Sequence, residues 1–197
     1  MSTEEKLINA AIELMSKNGY HRTTVADIVK AAGVAQGTFY LYYDSKKTLF
    51  LGLMERFSSM LQEALSEVDW QIESLETQEE LAQKISLAIQ KILVVYQDNA
   101  VLARIFLREA MGLEPDFAEL WDSIIERLAT FAALVMDQAI ERGLLPPQNS
   151  NIVAHCIVGM IERVAYYWLF QENEFELEEV VDALARFELF GITGLVS

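Results

Sequence analysis

Residues 23–50 read TTVADIVKAAGVAQGTFYLYYDSKKTLF, and the rest of the chain is best read outward from them. Val25, Ile28, Val29 and Ala32 recur at helical spacing, giving an apolar face over about two turns. Gly33 falls where a helix C-terminus favours a residue able to take φ > 0. A second, shorter helix is expected to start near Ala35 or Gln36. In it Phe39 and Tyr43 face inward with Val34, while Thr38, Leu41 and Tyr42, flanked by Tyr40, face outward. Gly37 allows close approach to whatever that outward face meets. Asp44-Ser45 interrupts the helix, and Ser45 suits the cap of a third one. Lys46 and Lys47 then occupy its first turn, where they oppose the helix dipole, which points to a task outside the fold.

Helix, glycine turn, short helix with a hydroxyl-rich outward face, basic flank: this is the pattern of a helix-turn-helix. The second helix of that motif enters the major groove while flanking groups hold phosphates. A helical hairpin packed in a core shares the helix–glycine–helix order, but not the outward Thr/Tyr face or the lysine pair. The expected DNA contacts are Thr24, Gln36, Gly37, Thr38, Tyr40, Leu41, Tyr42 and Lys46.

The stretch also resembles the TetR (TetR/AcrR) family of transcriptional regulators. The resemblance is carried by Gly19-Tyr20, Thr23-Thr24-Val25-Ala26-Asp27-Ile28, Ala31-Ala32-Gly33-Val34, Gly37-Thr38-Phe39-Tyr40-Leu41-Tyr42-Tyr43, Ser45-Lys46-Lys47 and Leu49. It covers roughly the first quarter of the chain. Tyr42 stands where members often carry His, and still offers a hydroxyl for a phosphate. The resemblance implies a DNA operator, a homodimer whose interface is a four-helix arrangement of the last two helices, and repression relieved by a small molecule.

Composition is consistent with this once the chain is divided. The 197 residues carry a net charge of −15. Residues 1–50 hold 6 Lys/Arg and 5 Asp/Glu, whereas the remainder holds 9 and 25. An acidic body repels DNA and leaves the N-terminal end as the tolerable face. Apolar residues make up 52% and there are only 3 prolines, which argues against disorder over most of the chain. The single cysteine, Cys156, excludes an intrachain disulfide and fits a reducing cytoplasm. The acidic start MSTEEK, with no apolar run after it, excludes a secretory signal. No apolar run approaches the ~18 residues of a membrane span, so no membrane partner is expected.

The remaining pattern is helical throughout. A first helix covers 2–19, with Ser2 or Thr3 as cap and Leu7, Ala11, Leu14 and Met15 inward. A long helix from Ser45 to about Trp70 links the motif to the body, and residues 71–76 form a polar joint. Thr77 with Glu80 is a capping box for a helix to about Gln97. Shorter and longer helices follow at 101–111 and 115–142, with Pro115 at N1 and Gly143 past the end. The last two helices, 150–170 and 176–194, are apolar on more than one side, as either a central core helix or a pair packing on its own copy would be. The expected fold is therefore all-α with about nine helices. It divides into a three-helix DNA-binding domain at 1–47 and a ligand-binding and dimerisation domain at 48–197.

No catalytic, cofactor or metal constellation is recognisable. Adjacent His155 and Cys156 point about 100° apart on a helix, there is no phosphate-binding glycine loop, and Glu79-Glu80 and Glu178-Glu179 look like solvated first-turn charges. The informative charges are those inside apolar runs: Arg104, Arg108 and Glu109, and Glu162-Arg163 in VGMIERVAYYWLF. Ion pairing within or between subunits accounts for them most simply. The other account is a pocket for a small apolar or amphipathic molecule, walled by helices 101–111, 115–142 and 150–170. Phe106, Trp121, Ile125 and Tyr166 would be its wall, and Arg108 or Arg163 would meet a polar head. The same tail is similar to the family branch that senses fatty acyl thioesters. The competing class is a helical ligand-binding or adaptor protein with a non-functional helix-turn-helix, and an enzyme is a distant third.

Overall fold

The computed structural model describes residues 1–172 and 174–191, without the side chains of residues 108–113. Arg108, Glu109, Ile192 and Leu195 thus lie outside what is described. Among the described residues the chain is all-α with nine helices and one 3-10 turn. They are α1 (Thr3–Asn18), α2 (Val25–Ala32), α3 (Gln36–Phe39), α4 (Lys46–Ser66), α5 (Gln78–Asp98), α6 (Ala100–Leu113), α7 (Pro115–Glu141), α8 (Ser150–Phe170) and α9 (Leu177–Phe190).

The helix ends follow from short-range chemistry. Ser2 and Thr24 each form a reciprocal capping box, with Glu5 and Asp27 respectively. Thr77 and Glu80 do the same before α5. Ser45 Oγ accepts from the Thr48 amide, and Asn149 Oδ1 accepts from the Ile152 amide. Gly33 is left-handed (φ 68°, ψ 35°), the conformation that lets the chain turn sharply from α2 to α3 without a Cβ clash. The helix expected at 101–111 extends to Leu113 as α6.

The chain packs as two units. The first comprises residues 1–59 and 99–122. Here α1 lies on α2 and on α6, and α2 on α3. Leu7, Ala11, Met15, Ile28 and Phe39 fill its N-terminal end, all fully buried. An aromatic cluster joins the rest: the Phe50 ring lies 4.5 Å from Phe117 and 5.6 Å from Phe106, and Tyr20 is 5.1 Å from Phe117. The unit built around the helix-turn-helix thus includes α6 and the first turns of α7.

The second unit comprises residues 60–98 and 123–197. In it α5 packs on α9 and α8, and α8 packs on α9. Leu65, Val68 and Ala88 form a buried group with Trp70, Ile92, Leu128 and Phe131 against it. Ala129, Ala133 and Ala154 form another, where side chains of minimal size bring α7 and α8 close together. The joint at 71–76 is less polar than its composition suggests: Ile72 and Leu75 are buried, at 1% and 5% exposure. Gln78 Nε2 donates to the Leu144 carbonyl and Arg142 donates to the Leu75 carbonyl, tying two loops down. Against expectation, α8 is long and apolar enough, by length and composition, to cross a membrane, although it carries Glu162 and Arg163 within it. Little of that apolar surface is covered within the chain, and Ile152 is 64% exposed.

Candidate DNA-reading face and effector cavity

The candidate reading face is anchored by a buried ring. Phe39, at 0% exposure, holds α3 against the first unit, and Tyr43 beside it donates its hydroxyl to Glu4. Burial, with Glu4 adding to it, pushes the Tyr43 phenol up to about 12. With that side turned inward, Gln36, Gly37, Tyr40, Leu41 and Tyr42 are exposed and Thr38 is half-buried. Leu41 is the extreme case, at 82% exposure. Thr24 is also exposed, its hydroxyl engaged with Asp27 as the cap of α2. α3 itself is only four residues long, so Tyr40, Leu41 and Tyr42 stand on the turn that follows it.

The two lysines at the start of α4 are used within the fold, contrary to the expectation that both serve something outside it. Lys46 Nζ donates to the carbonyls of Tyr20 (2.6 Å) and Thr23 (2.8 Å) and lies 4.0 Å above the Tyr20 ring. Burial lowers its pKa. Lys47 pairs with Glu114 at 3.2 Å and Asp116 at 2.5 Å, which raises the lysine's pKa and lowers that of Asp116. These oxygens offset the unfavourable position of two cations at a helix N-terminus.

Residues 7–53 match the family model "Bacterial regulatory proteins, tetR family". Over those residues the chain carries a TetR-type helix-turn-helix. It is 28% identical over 177 residues to the uncharacterized HTH-type transcriptional regulator YvdT of Bacillus subtilis, covering 86% of this chain and 85% of that one. It is 25% identical over 188 residues to the fatty acid metabolism regulator protein of the same organism, covering 95% and 94%. The FadR transcriptional regulator of Bacillus subtilis, solved in complex with stearoyl-CoA, matches its fold with a TM-score of 0.79 at 21% identity, over 96% of this chain and 99% of that one.

The second unit holds an apolar cavity of about 180 Å³. Its wall comes from the end of α4 and the segment after it, from α5, α7, α8 and α9, and from the loop after α7. Trp70, Ile92, Leu128, Phe131, Val135 and Ile157 are representative. Trp70 and Phe131 meet edge to face at 5.5 Å, and Trp70 is fixed by its Nε1–H to the Leu65 carbonyl. The polar groups on the wall are Tyr96, Gln148, Glu162 and Glu188.

Of the wall proposed from sequence, Ile125 lines this cavity. Phe106 and Trp121 belong to the first unit, buried at 1% and 3% with their rings 6.2 Å apart. Tyr166 meets Phe170 edge to face and carries Arg163 over its own ring, and Arg163 is exposed. Arg108 lies outside the described residues. The wall that replaces the expected 101–111 helix is α5, whose Leu81, Ile85, Ile89 and Tyr96 recur at helical spacing. That spacing announces an apolar stripe without saying what it faces. Glu188, in ARFELFGI, carries in the sequence the same kind of signal as Glu162, a carboxylate within an apolar run.

Proposed function

We propose that the protein is a dimeric repressor that reads a DNA operator with residues 24–46 and releases it when a small apolar or amphipathic molecule enters the cavity of the second unit. The observation that carries this reading is the arrangement around Phe39. One buried ring fixes a four-residue helix whose other side, from Gln36 to Tyr42, is exposed and almost uncharged. Thr38, Tyr40, Leu41 and Tyr42 meet base edges or the backbone, with Gly37 permitting close approach. Lys46 serves by holding the start of α4 to the loop between α1 and α2, so that the reading helix is presented in one orientation.

The dimer is supported by the surface of the last two helices. Ile152, Phe187 and Phe190 are exposed at 64%, 43% and 54%. Two copies joined through α8 and α9 present two reading helices to half-sites about one DNA turn, ~34 Å, or more apart. α4 runs unbroken from the first unit into the second, and gives the effector a covalent path to the reading head. An effector switches the protein only by binding one dimer geometry better than the other. Coupling of ~1–3 kcal/mol weakens operator binding about 5- to 150-fold.

Selection of genomic DNA fragments on the purified chain, followed by footprinting, tests the DNA half. Enrichment of a short inverted repeat is expected. Failure to enrich any sequence favours instead a helical ligand-binding protein with a non-functional motif. A fatty acyl thioester is one amphipathic effector, supported by the likeness to the fatty acid metabolism regulator of Bacillus subtilis and to the FadR structure solved with stearoyl-CoA. The charged groups of the cavity itself favour a different head group.

A further inference from the structure

Every charged side chain among the described residues that line the cavity is an acid: Glu162 on α8 and Glu188 on α9. α4, α7 and the loop after α7 contribute no charge to it, and α5 contributes only the Tyr96 phenol. The Tyr96 side chain is buried, at 3% exposure, and its pKa is raised, first by that burial and then by the nearby Glu162 carboxylate. Glu188 has no hydrogen-bond or ion-pair partner among the described residues, and burial alone pushes its carboxyl up to about 7.

We propose that this cavity takes an organic monocation with a compact apolar body, an alkyl- or arylammonium, and that Glu162 and Glu188 select its positive group. The inference rests on reading the cavity as the effector site and names the ligand class for it. The Glu188 carboxyl, held in an apolar wall without a partner among the described residues, is costly when ionised, and a cation arriving beside it removes that cost. Trp70, Tyr96 and Phe131 supply aromatic faces that attract a cation and accept an apolar body equally well. The net charge of −16 on residues 51–197 concentrates cations and repels anions around the whole body. Among the described lining residues an anionic head group would meet two acids and no base. Size agrees: about 180 Å³ is close to the ~150 Å³ that holds one benzene and well below the ~300–1,000 Å³ of drug-sized sites.

Calorimetry on the purified full chain at pH 8 tests this with benzyltrimethylammonium, its uncharged carbon isostere neopentylbenzene, the anion phenylacetate, and stearoyl-CoA. The cation is expected to bind at least about tenfold more tightly than the isostere, and phenylacetate and stearoyl-CoA more weakly still. Glu162→Gln and Glu188→Gln, each checked for an unchanged circular dichroism spectrum, should each weaken the cation about tenfold or more. Because only ionised Glu188 meets the cation, affinity should rise about tenfold from pH 6 to pH 8, and Glu188→Gln should flatten that rise. Equal binding of cation and isostere, tighter binding of phenylacetate or stearoyl-CoA, or indifference to both substitutions overturns the proposal. Calorimetry needs no DNA, so the two halves fail separately. Cation preference without operator selection refutes the regulator reading alone, and operator selection without cation preference refutes the ligand class alone.

Discussion

Lys46 holds Tyr20 twice, donating from Nζ to its carbonyl at 2.6 Å and resting 4.0 Å above its ring. The residues are 26 apart in sequence, so the contact fastens the start of α4 to the loop that follows α1. A lysine that looks from its position like a free phosphate contact is first of all a fastening.

Lys46→Ala is therefore expected to lower stability by about 1–3 kcal/mol, through loss of two charge-assisted hydrogen bonds. Urea denaturation measures this. Operator affinity should fall for all sequences together, because the orientation of the reading helix is loosened and no base contact is lost.

Leu41→Ala and Tyr40→Phe should behave in the opposite way. Both side chains are exposed, and stability should stay within about 0.5 kcal/mol of the parent. The preferred operator sequence should shift instead, as read by repeating the fragment selection with each variant.

Trp121→Ala is expected to cost about 3–5 kcal/mol, because the ring is buried at 3% exposure against Phe106. It should not enlarge the cavity of the second unit, which Trp121 does not line. Phe131→Ala should widen that cavity and shift ligand preference toward larger bodies, measured by calorimetry with a graded series of ligands.

Glu188→Gln should stabilise the protein at high pH. The folded carboxyl titrates at about 7, above its ordinary 4.5, so the folded state holds this proton more tightly than the unfolded chain does. The resulting stabilisation is complete below pH 4.5 and is lost as the pH rises to about 7. Thermal melts at pH 5 and pH 8 should show the variant little changed at the lower pH. At the higher pH it should melt a few degrees above the parent, about 2–4 °C per kcal/mol for a chain of this size.

Ile152→Glu together with Phe187→Glu should leave the helical content intact and yield a monomer. Both residues are exposed on the surfaces proposed to pair, so a charge there meets its own copy across the two-fold axis. Sedimentation at micromolar concentration distinguishes monomer from dimer.

The helices and their ends were legible in the chain because they depend on groups within a few residues of one another. Ser2 and Glu5, Thr77 and Glu80, Asn149 and Ile152, and Gly33 in its turn each act over at most four positions. The helix-turn-helix was legible for the same reason: Phe39 inward and Leu41 outward follow from a short apolar pattern. Periodicity identifies an apolar face and is silent about the face it meets. Phe106 and Trp121 have the character of pocket walls and are core, while the α5 stripe has the character of core and lines the cavity. The direction taken by Lys46 depends on Tyr20 and Thr23, and that taken by Lys47 on Glu114 and Asp116 some 67 residues on. Such partners are chosen by packing, since burial rewards any apolar contact of fitting shape and a charge turns to whichever oxygens the folded chain brings within reach.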